Sequence, residues 1–307
     1  MRNAFAEEIF DLAKKNKNIV LLSGDIGNRL FDKFRGKFSN RFYNCGIAEA
    51  NMTGVASGLA SSGFKPITYT ITPFNTMRCL EQIKLDICYP DLPVVIVGTG
   101  SGLSYATLGS THHSLEDISI LKSLPNIKIF CPSDPLEVKK LLRVAIKSKK
   151  PVYLRIGKKR EKIFKDRKKF GKLDNLVKGK NHCLLSVGPI LENVIVASKS
   201  LLTSRISNSV YDLRHIRPFD EKKLKEIFKK YKQIYVIEEH YKEVGVYNSI
   251  LQWSNNCGLD TKKLHSIGIE NKFIKFTGSH EMARKKLGLD SKSIFKFVKK
   301  IDDKSRI

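Results

Sequence analysis

Asn-Cys-Gly-Ile-Ala-Glu-Ala-Asn-Met-Thr-Gly-Val-Ala-Ser-Gly-Leu-Ala, residues 44–60, is the stretch of sequence on which the fold prediction depends. Apolar side chains recur in it at helical spacing, so we predict a helix whose apolar stripe packs against a core. That stripe comprises Ala48, Met52, Val55, Ala56 and Leu59. The small residues Gly54, Ser57 and Gly58 allow another backbone to approach the helix closely.

Glu49 lies in the first turn of this predicted helix, after a short predicted strand at residues 41–43. A glutamate in a first turn commonly does no more than complement the helix dipole. Here, however, it lies among small residues and shares its helix with no Lys or Arg that would pair with it. Such surroundings favour a protonated carboxyl group, which suits the donation or sharing of a proton. Both interpretations stay open from the residues alone.

Size and composition indicate a globular protein. The chain has 307 residues, enough for one large or two ordinary domains. No run approaches ~20 consecutive apolar residues, so we predict no membrane-spanning helix. Residues 1–15 predict a first helix with early acidic residues, unlike a secretory signal, and we expect a cytoplasmic protein. The six cysteines are scattered without paired spacing, which favours reduced, buried thiols over disulfides or a zinc site.

The net charge of +26 at pH 7 points to an anionic partner unless it reflects composition alone. Clustered Lys and Arg side chains bind nucleic acid by releasing counterions from its phosphates. The basic residues concentrate at 158–172 and in the carboxyl-terminal third, and the first of these stretches is typical of a linker. We therefore favour a phosphorylated small substrate or an acidic protein partner over a nucleic acid.

Predicted strands and helices alternate along almost the whole chain. Short apolar runs such as 18–22 alternate with helical patterns of about 10 to 15 residues such as 77–89. This alternation predicts an α/β fold with two domains, each a mostly parallel sheet covered by helices. We place the first domain at residues 1–157, a basic linker at 158–180 and the second domain at 181–307.

Gly-Thr-Gly-Ser-Gly-Leu at residues 98–103 follows a predicted strand but does not match a nucleotide-binding motif. It lacks the Gly-x-Gly-x-x-Gly spacing and the lysine of a P-loop. We expect its glycines to let the chain cross the carboxyl ends of the strands, where open α/β sheets bind ligands.

His112 and His113 end this loop and are badly spaced for one metal. Arg155 is either a surface charge or a phosphate clamp, and Phe74 is either a core residue or a stacking ring.

Taken together and in order, the motifs of this chain resemble the transketolase family and the related deoxyxylulose-phosphate synthases. The motifs that resemble the pyrimidine-binding domain are Gly-Ile-Ala-Glu-Ala-Asn-Met (46–52), Lys-Pro-Ile through Phe (65–74), Arg to Gln-Ile (78–83), Thr-His-x-x-x-Glu-Asp-Ile (111–118), Pro-Asn (125–126), Pro-Ser-Asp (132–134) and Pro-Val-Tyr-Leu-Arg-Ile (151–156). Tyr-Asp-Leu-Arg-His-Ile-Arg-Pro-Phe-Asp (211–220) and Val-Ile-Glu-Glu-His (236–240) resemble the carboxyl-terminal domain. The resemblance covers nearly the whole chain.

This resemblance implies an enzyme that uses thiamine diphosphate to transfer a two-carbon ketol unit from a ketose to an aldehyde. Glu49 matches the glutamate that hydrogen-bonds the aminopyrimidine ring and so assists removal of the thiazolium proton. Phe74 matches the aromatic ring that stacks on the pyrimidine. Arg78 belongs to the same motifs, and Ile71 stands where the family has a further aromatic residue of the cofactor pocket.

The substrate side of the resemblance contains both matches and departures. His112 matches a histidine that contacts the reacting oxygens of the substrate, and Arg155 matches an arginine that binds the sugar phosphate. Leu108 stands where the family usually has an aspartate, and Gly100 stands where it has another histidine. Both family residues contact the sugar, so we predict a specialised enzyme that acts on a modified or nucleotide-linked sugar.

Half of the expected cofactor site is missing from this sequence. The family binds the diphosphate and its metal on another domain with a Gly-Asp-Gly motif, which this chain lacks. The resemblance therefore implies the second half of a split transketolase. An amino-terminal-half partner subunit would hold the diphosphate and a magnesium or calcium ion, and two copies of each subunit would form an α2β2 heterotetramer.

Two other functions stay open at this point. The beta subunit of a 2-oxo-acid dehydrogenase has the same two domains and the same glutamate but transfers an acyl group to a lipoyl group. A non-enzymatic basic protein would bind nucleic acid in a salt-sensitive way and need no partner subunit.

Overall fold

The computed structural model describes residues 1–27, 29–158, 161–164 and 170–305. In chain order the elements are α1 (Arg2–Lys15), β1 (Ile19–Ser23), α2 (Asp32–Lys37), β2 (Phe42–Asn44), α3 (Glu49–Ser61), β3 (Lys65–Ile71), α4 (Thr72–Asn75), α5 (Leu80–Gln82), β4 (Val95–Thr99), α6 (Asp117–Lys122), β5 (Lys128–Phe130), α7 (Pro135–Ile146), β6 (Val152–Ile156), β7 (Leu173–Val177), β8 (His182–Val187), α8 (Leu191–Thr203), β9 (Asn208–Leu213), β10 (His215–Arg217), α9 (Glu221–Lys230), β11 (Gln233–Tyr241), α10 (Val246–Asn256), β12 (Leu264–Ile269), α11 (His280–Lys286) and α12 (Ser291–Lys304). A π-helix covers Ile83–Cys88, and 3-10 turns cover Ser39–Arg41 and Gly188–Ile190.

The strands form two sheets. The first has the order β10-β5-β6-β4-β3-β1-β2, and the second has the order β12-β11-β8-β9-β7. Neighbouring strands pair in parallel, except that β10 runs antiparallel to β5 and β7 antiparallel to β9. This confirms the predicted α/β class with two mostly parallel sheets. Strand β10 lies far along the chain yet completes the edge of the first sheet, so the two halves are joined through a shared sheet.

Helices cover both faces of the first sheet. Strand β1 is buried along its whole length, as its uninterrupted Ile-Val-Leu-Leu run predicts for a parallel strand. On one face, Phe5 of α1 and Leu141 of α7 belong to one apolar cluster. On the other face, Met52 and Ala56 of α3 share a cluster with Ile83 of the π-helix. The predicted apolar stripe of α3 is therefore confirmed at Met52 and Ala56.

Helix α7 begins where its local sequence predicts. The carboxylate of Asp134 accepts a hydrogen bond from the backbone N–H of Glu137, and Pro135 occupies the first helical position. A capping carboxylate satisfies an N–H that has no partner within the helix, and proline has no N–H to satisfy there. These two residues therefore fix the start of α7 at Pro135.

The loop after β4 packs into the second half of the molecule. Leu103, Ala106 and Leu115 belong to the same apolar cluster as Val194 of α8 and Ile237 of β11. The second sheet and its helices therefore hold in place the loop that carries His112.

The segment 77–89 differs from its predicted single helix. Only Leu80–Gln82 is α-helical, and Ile83–Cys88 forms a π-helix. Met77, which the spacing placed on the buried face, is exposed. Met77 lies in a turn before both helical segments, so a spacing rule based on 3.6 residues per turn does not determine which way its side chain faces.

Helix α3 also differs from its prediction on its outer side. Ala48 and Val55 are exposed rather than part of the packed stripe. A Cβ built on Gly54 or Gly58 meets no atom of the described residues within 4 Å, so the predicted close approach does not occur there. Ser57 does meet another backbone, because its Oγ donates to the carbonyl oxygen of Asp86 over 2.7 Å.

Three smaller predictions also need correction. The basic stretch predicted to have little regular structure contains strand β7. Strand β10 and helix α2 were not predicted, because three and six residues give almost no periodic signal. All six cysteines are free, as predicted, but Cys257 is exposed rather than buried.

None of the helices within the described ranges is both long enough and apolar enough to cross a membrane.

Candidate active site

Candidate functional side chains follow four strands of the first sheet. Glu49 follows β2, Phe74 follows β3, His112 follows β4 and Lys158 follows β6. Strands β2, β1, β3, β4 and β6 are consecutive in the sheet and parallel, so these side chains all lie at its carboxyl edge. Ligands of open parallel sheets bind at this edge because the connecting loops meet there.

Glu49 is the first residue of α3 and its side chain is 2% exposed. The fold makes room for it at Gly24, where a Cβ would lie 3.1 Å from Glu49 Cγ and 3.1 Å from Thr70 Oγ1. The turn before it is fixed by the Asn44 side chain, whose oxygen accepts hydrogen bonds from the N–H groups of Asp25 and Gly46. A strand end and a backbone turn therefore hold this carboxylate at the sheet edge.

The carboxylate of Glu49 has a cationic partner, contrary to the expectation from its helix sequence. Arg78 Nη1 donates to Glu49 Oε2 over 2.6 Å. Arg78 lies on the segment after α4 and not on α3, so the pattern within the helix does not reveal it. The absence of Lys and Arg from α3 therefore does not leave Glu49 without a cationic neighbour.

Arg78 connects Glu49 to an aromatic ring. Its guanidinium carbon lies 4.2 Å from the centroid of the Phe74 ring. The Phe74 ring in turn meets the His112 imidazole edge-on, with 5.1 Å between ring centroids. Ile71 ends β3, is half-buried and directly precedes the short helix that carries Phe74. The structure thus brings together Glu49, Arg78, Phe74 and His112, in that order.

His112 is held as a neutral imidazole near pH 7. Its Nδ1 lies 2.9 Å from Thr111 Oγ1. Burial, together with the positive charges of Lys158 and Arg78, lowers the pKa of His112 below its usual value. A neutral imidazole accepts a proton and returns it, which is the requirement for a general acid-base group.

The loop that carries His112 is tied to the second half of the chain by polar contacts. The Leu103 N–H donates to Glu239 Oε2 over 3.1 Å, and Ser110 Oγ donates to the carbonyl oxygen of Ile274 over 2.8 Å. Glu239 also contacts His280 and Arg284. Burial opposes ionisation of Glu239, but the charge of Arg284 and the contact with His280 outweigh it, and the pKa of Glu239 lies well below the usual glutamate range. Glu239 is therefore an anionic anchor for the loop.

Arg155 is buried in the core and paired with Asp117, so its guanidinium does not face the carboxyl edge of the sheet as a free cation. Its side chain is 1% exposed, and its Nε donates to Asp117 Oδ2 over 2.7 Å. Its Nη2 donates to the carbonyl oxygens of Ser114 and Glu239, over 2.9 and 3.1 Å. Burial raises the pKa of Asp117, but the Arg155 charge outweighs it and the net shift is downward. The predicted phosphate contact by Arg155 does not fit this placement, because the guanidinium joins the two sheets from within the core.

The sequence analysis did not single out a cavity that has Lys158 in its wall, which we call the cation-lined cavity. It has a volume of about 730 Å³, and its wall includes the cations Arg2, Arg29, Lys33 and Lys158 together with the acidic residues Glu7 and Asp11. The Lys158 ammonium lies 4.0 Å from the centroid of the Tyr105 ring, which in turn lies 6.0 Å from the His112 ring. Lys158 lies three residues after Arg155, at the end of the same strand. This position was the signal in the sequence from which Lys158 could have been proposed as an anion-binding residue.

A planar cofactor ring fits the contacts at Glu49. The Arg78 guanidinium is itself a planar nitrogen donor that bonds a buried carboxylate and stacks on Phe74. An aminopyrimidine ring needs the same two contacts. No cluster of three His, Cys, Asp or Glu side chains suited to a metal occurs in the part of the chain that the structure describes.

Comparison with known proteins assigns the family. A family model described as "Transketolase, pyrimidine binding domain" matches residues 1–161, and one described as "Transketolase, C-terminal domain" matches residues 171–294. This chain belongs to the transketolase family.

Transketolase relatives of similar length support the assignment. The chain is 32% identical to a subunit of the apulose-4-phosphate transketolase of Actinobacillus succinogenes, over 96% of both chains. It is 26% identical to the 6-deoxy-6-sulfo-D-fructose transketolase subunit SqwH of a Clostridium species, over 99% of this chain and 95% of the relative. A solved structure titled "Split gene transketolase, inactive beta4 tetramer" superposes with a TM-score of 0.87 at 27% identity, over 97% of both chains. These relatives are named as subunits or as the product of a split gene.

Proposed function

We propose that this chain is the subunit of a split, thiamine-diphosphate-dependent transketolase that supplies the pyrimidine-binding side of the active site. The assembled enzyme transfers a two-carbon ketol unit from a ketose to an aldehyde. The observation that carries the proposal is the series of contacts from Glu49 through Arg78 and Phe74 to His112 along one sheet edge. The relatives named for apulose 4-phosphate and 6-deoxy-6-sulfo-D-fructose support a modified sugar as substrate.

In this proposal the residues of the chain bind, orient and move protons. Thiamine diphosphate, when bound, supplies the chemistry that breaks and makes the carbon–carbon bond. Glu49 holds a proton against a ring nitrogen of the pyrimidine, and Phe74 offers its face to the same ring. Arg78 gives up at least one of its present contacts to admit that ring. The neutral imidazole of His112 accepts and returns a proton at the oxygen of the reacting carbonyl group.

The partner subunit would bind the face formed by the outer sides of α3 and of the segment 77–89, which we call the α3 face. Its apolar side chains are exposed, and Ile47, two residues before Glu49, is 79% exposed. The others are Val55, Met77, Leu85 and Tyr89. Exposed apolar patches commonly mark protein interfaces. Glu49 lies beside this face, so an amino-terminal-half subunit placed there would bring the diphosphate and its magnesium or calcium ion next to the pyrimidine side. We propose an α2β2 heterotetramer.

The anionic end of the substrate would lie in the cation-lined cavity. Lys158 and Arg2 line this cavity, and the Tyr105 ring contacts both the Lys158 ammonium and the His112 ring. Arginine and lysine side chains bind phosphate and similar oxyanions through charge-assisted hydrogen bonds. We therefore assign phosphate binding to Lys158 and Arg2 in place of Arg155.

Co-expression with the transketolase amino-terminal half encoded nearest to this chain tests the proposal. The assembled enzyme, with thiamine diphosphate and Mg²⁺, is assayed for ketol transfer from phosphorylated, branched and sulfonated ketoses to short aldehydes. We expect turnover with at least one pair, and neither turnover nor tight thiamine diphosphate binding by this chain alone. Tight binding of the cofactor by the isolated chain would show that the site is not split. An assembled pair that is inactive on every ketose would contradict ketol transfer.

A further inference from the structure

The ring of Tyr105 fills the space that a side chain at position 100 would take. Gly100 has a φ of +83°, and a Cβ built on it would lie 2.0 Å from Tyr105 Cε2 and 2.2 Å from Cδ2. Such distances exclude any side chain at position 100 while the ring is there. Gly100 directly follows β4, so Tyr105 stands over the carboxyl end of a central strand, at the edge where the site lies.

Tyr105 lies between the two ends of the proposed substrate site. On one side its ring centroid is 6.0 Å from that of His112, the proposed acid-base group. On the other side the Lys158 ammonium lies 4.0 Å from its ring centroid. Burial raises the pKa of Tyr105 and the nearby Arg2 guanidinium partly offsets this. A substrate with its carbonyl group at His112 and its anionic group at Lys158 and Arg2 has to pass Tyr105.

The Tyr105 hydroxyl forms no hydrogen bond with the residues that the structure describes, although the side chain is only 7% exposed. The contacts of this side chain there are with the rings and cations named above. The oxygen of this hydroxyl is not among the fully buried polar atoms without a partner, so it keeps access to water, and a ligand hydroxyl that reaches it would take the place of a water molecule. By contrast, Tyr69 nearby accepts a hydrogen bond from Arg2 Nε over 3.2 Å.

We propose that Tyr105 determines sugar specificity: its hydroxyl bonds a hydroxyl group on the carbons between the reacting carbonyl and the anionic terminus of a short phosphorylated hydroxyaldehyde. The inference rests on the proposed function and adds the substrate feature that the site selects. Because the ring occupies the space over Gly100, the hydroxyl is fixed in position and selects for a substrate hydroxyl in one place. The residue acts by hydrogen bonding and takes no part in bond cleavage.

The test uses the enzyme assembled with its partner subunit and two matched variants. Tyr105→Phe removes the hydroxyl and keeps the ring over Gly100. Tyr211→Phe removes a hydroxyl from β9 in the second sheet, where it pairs with Tyr231, and serves as the control. Each is assayed with glyceraldehyde 3-phosphate and erythrose 4-phosphate, and with analogues that carry hydrogen in place of the intervening hydroxyl groups.

We expect Tyr105→Phe to lower kcat/KM about tenfold with a hydroxylated aldehyde and to leave kcat/KM with its deoxy analogue unchanged, because the lost bond needs both partners. Tyr211→Phe should change kcat/KM by the same factor for the hydroxylated aldehyde and for its deoxy analogue. An equal effect of Tyr105→Phe on hydroxylated and deoxy aldehydes would overturn this inference and leave the proposed function standing. A wild-type enzyme that transfers ketol units to other aldehydes but to none of these would overturn it as well, and one that transfers none at all would overturn both.

Discussion

Arg78 Nη1 lies 2.6 Å from Glu49 Oε2, and the same guanidinium stacks on Phe74 at 4.2 Å from the ring centroid. One side chain therefore makes the two contacts that a flat, nitrogen-bearing cofactor ring would make. The carboxylate is buried while the arginine is largely exposed. If Arg78 moves away, its partly exposed guanidinium regains water but the buried carboxylate loses its donor, so the proposed function requires the incoming ring to supply a donor in its place.

Substitution on the α3 face should prevent assembly. Val55→Asp places a charge in an exposed apolar position of α3, and we expect loss of co-purification with the partner subunit and loss of ketol transfer. Val196→Asp is the matched control, since Val196 is an equally exposed helical valine on α8. Size-exclusion chromatography of the co-expressed subunits measures both. If the Val55→Asp chain still assembles with the partner subunit, the interface does not lie on the α3 face.

Removing the Lys158 charge should weaken binding of phosphorylated substrates. Lys158→Gln should raise KM about tenfold for a phosphorylated aldehyde, since a charge-assisted contact contributes about 1.5 kcal/mol or more, while kcat stays near the wild-type value. Lys225→Gln, on the exposed side of α9, is the control. A KM that does not depend on Lys158 would move the anion site away from the cation-lined cavity.

Arg155 should contribute to stability and not to phosphate binding. Arg155→Met leaves the Asp117 carboxylate buried without its cation, and breaking a buried ion pair in this way costs about 3 kcal/mol or more. Urea unfolding measures this loss in the free energy of unfolding. Unchanged stability together with a raised KM for phosphorylated substrates would restore the assignment made from the sequence.

The activity should depend on pH through His112. Because burial and the charges of Lys158 and Arg78 lower the pKa of His112, the neutral form persists below the usual histidine range, and the acid limb of kcat/KM should lie below pH 6.5. Lys158→Gln removes one of these cations and should move the acid limb to higher pH. An acid limb that moves to lower pH in this variant would show that another group controls the profile.

The sequence predicted the parts of the fold that depend on local pattern. The apolar run of β1, the Asp134 cap of α7 and the start of α3 at Glu49 follow from residues close together in the chain. Strand β10 was missed because its role in the first sheet depends on a partner, β5, far away in the sequence. The π-helix was missed because its periodicity is not that of an α-helix.

The same division between local and distant contacts applies to the candidate site. Glu49, Phe74 and His112 were identified by motif, and the structure places them along one edge. The pairing of Arg78 with Glu49 spans 29 residues, and the stacking of Lys158 on Tyr105 spans two different loops, so neither has a local pattern. Arg155 was misjudged because a strand position does not reveal whether a charged side chain ends at the surface or inside the core.

The account depends on the Glu49 carboxyl group more than on any other. The decisive measurement is kcat of the assembled Glu49→Gln enzyme with saturating thiamine diphosphate, with chromatography to verify that both subunits are present. The account predicts a fall in kcat of about 10³-fold with assembly intact, because the amide cannot exchange a proton with the pyrimidine ring. A Glu49→Gln enzyme that assembles and keeps wild-type kcat would contradict it.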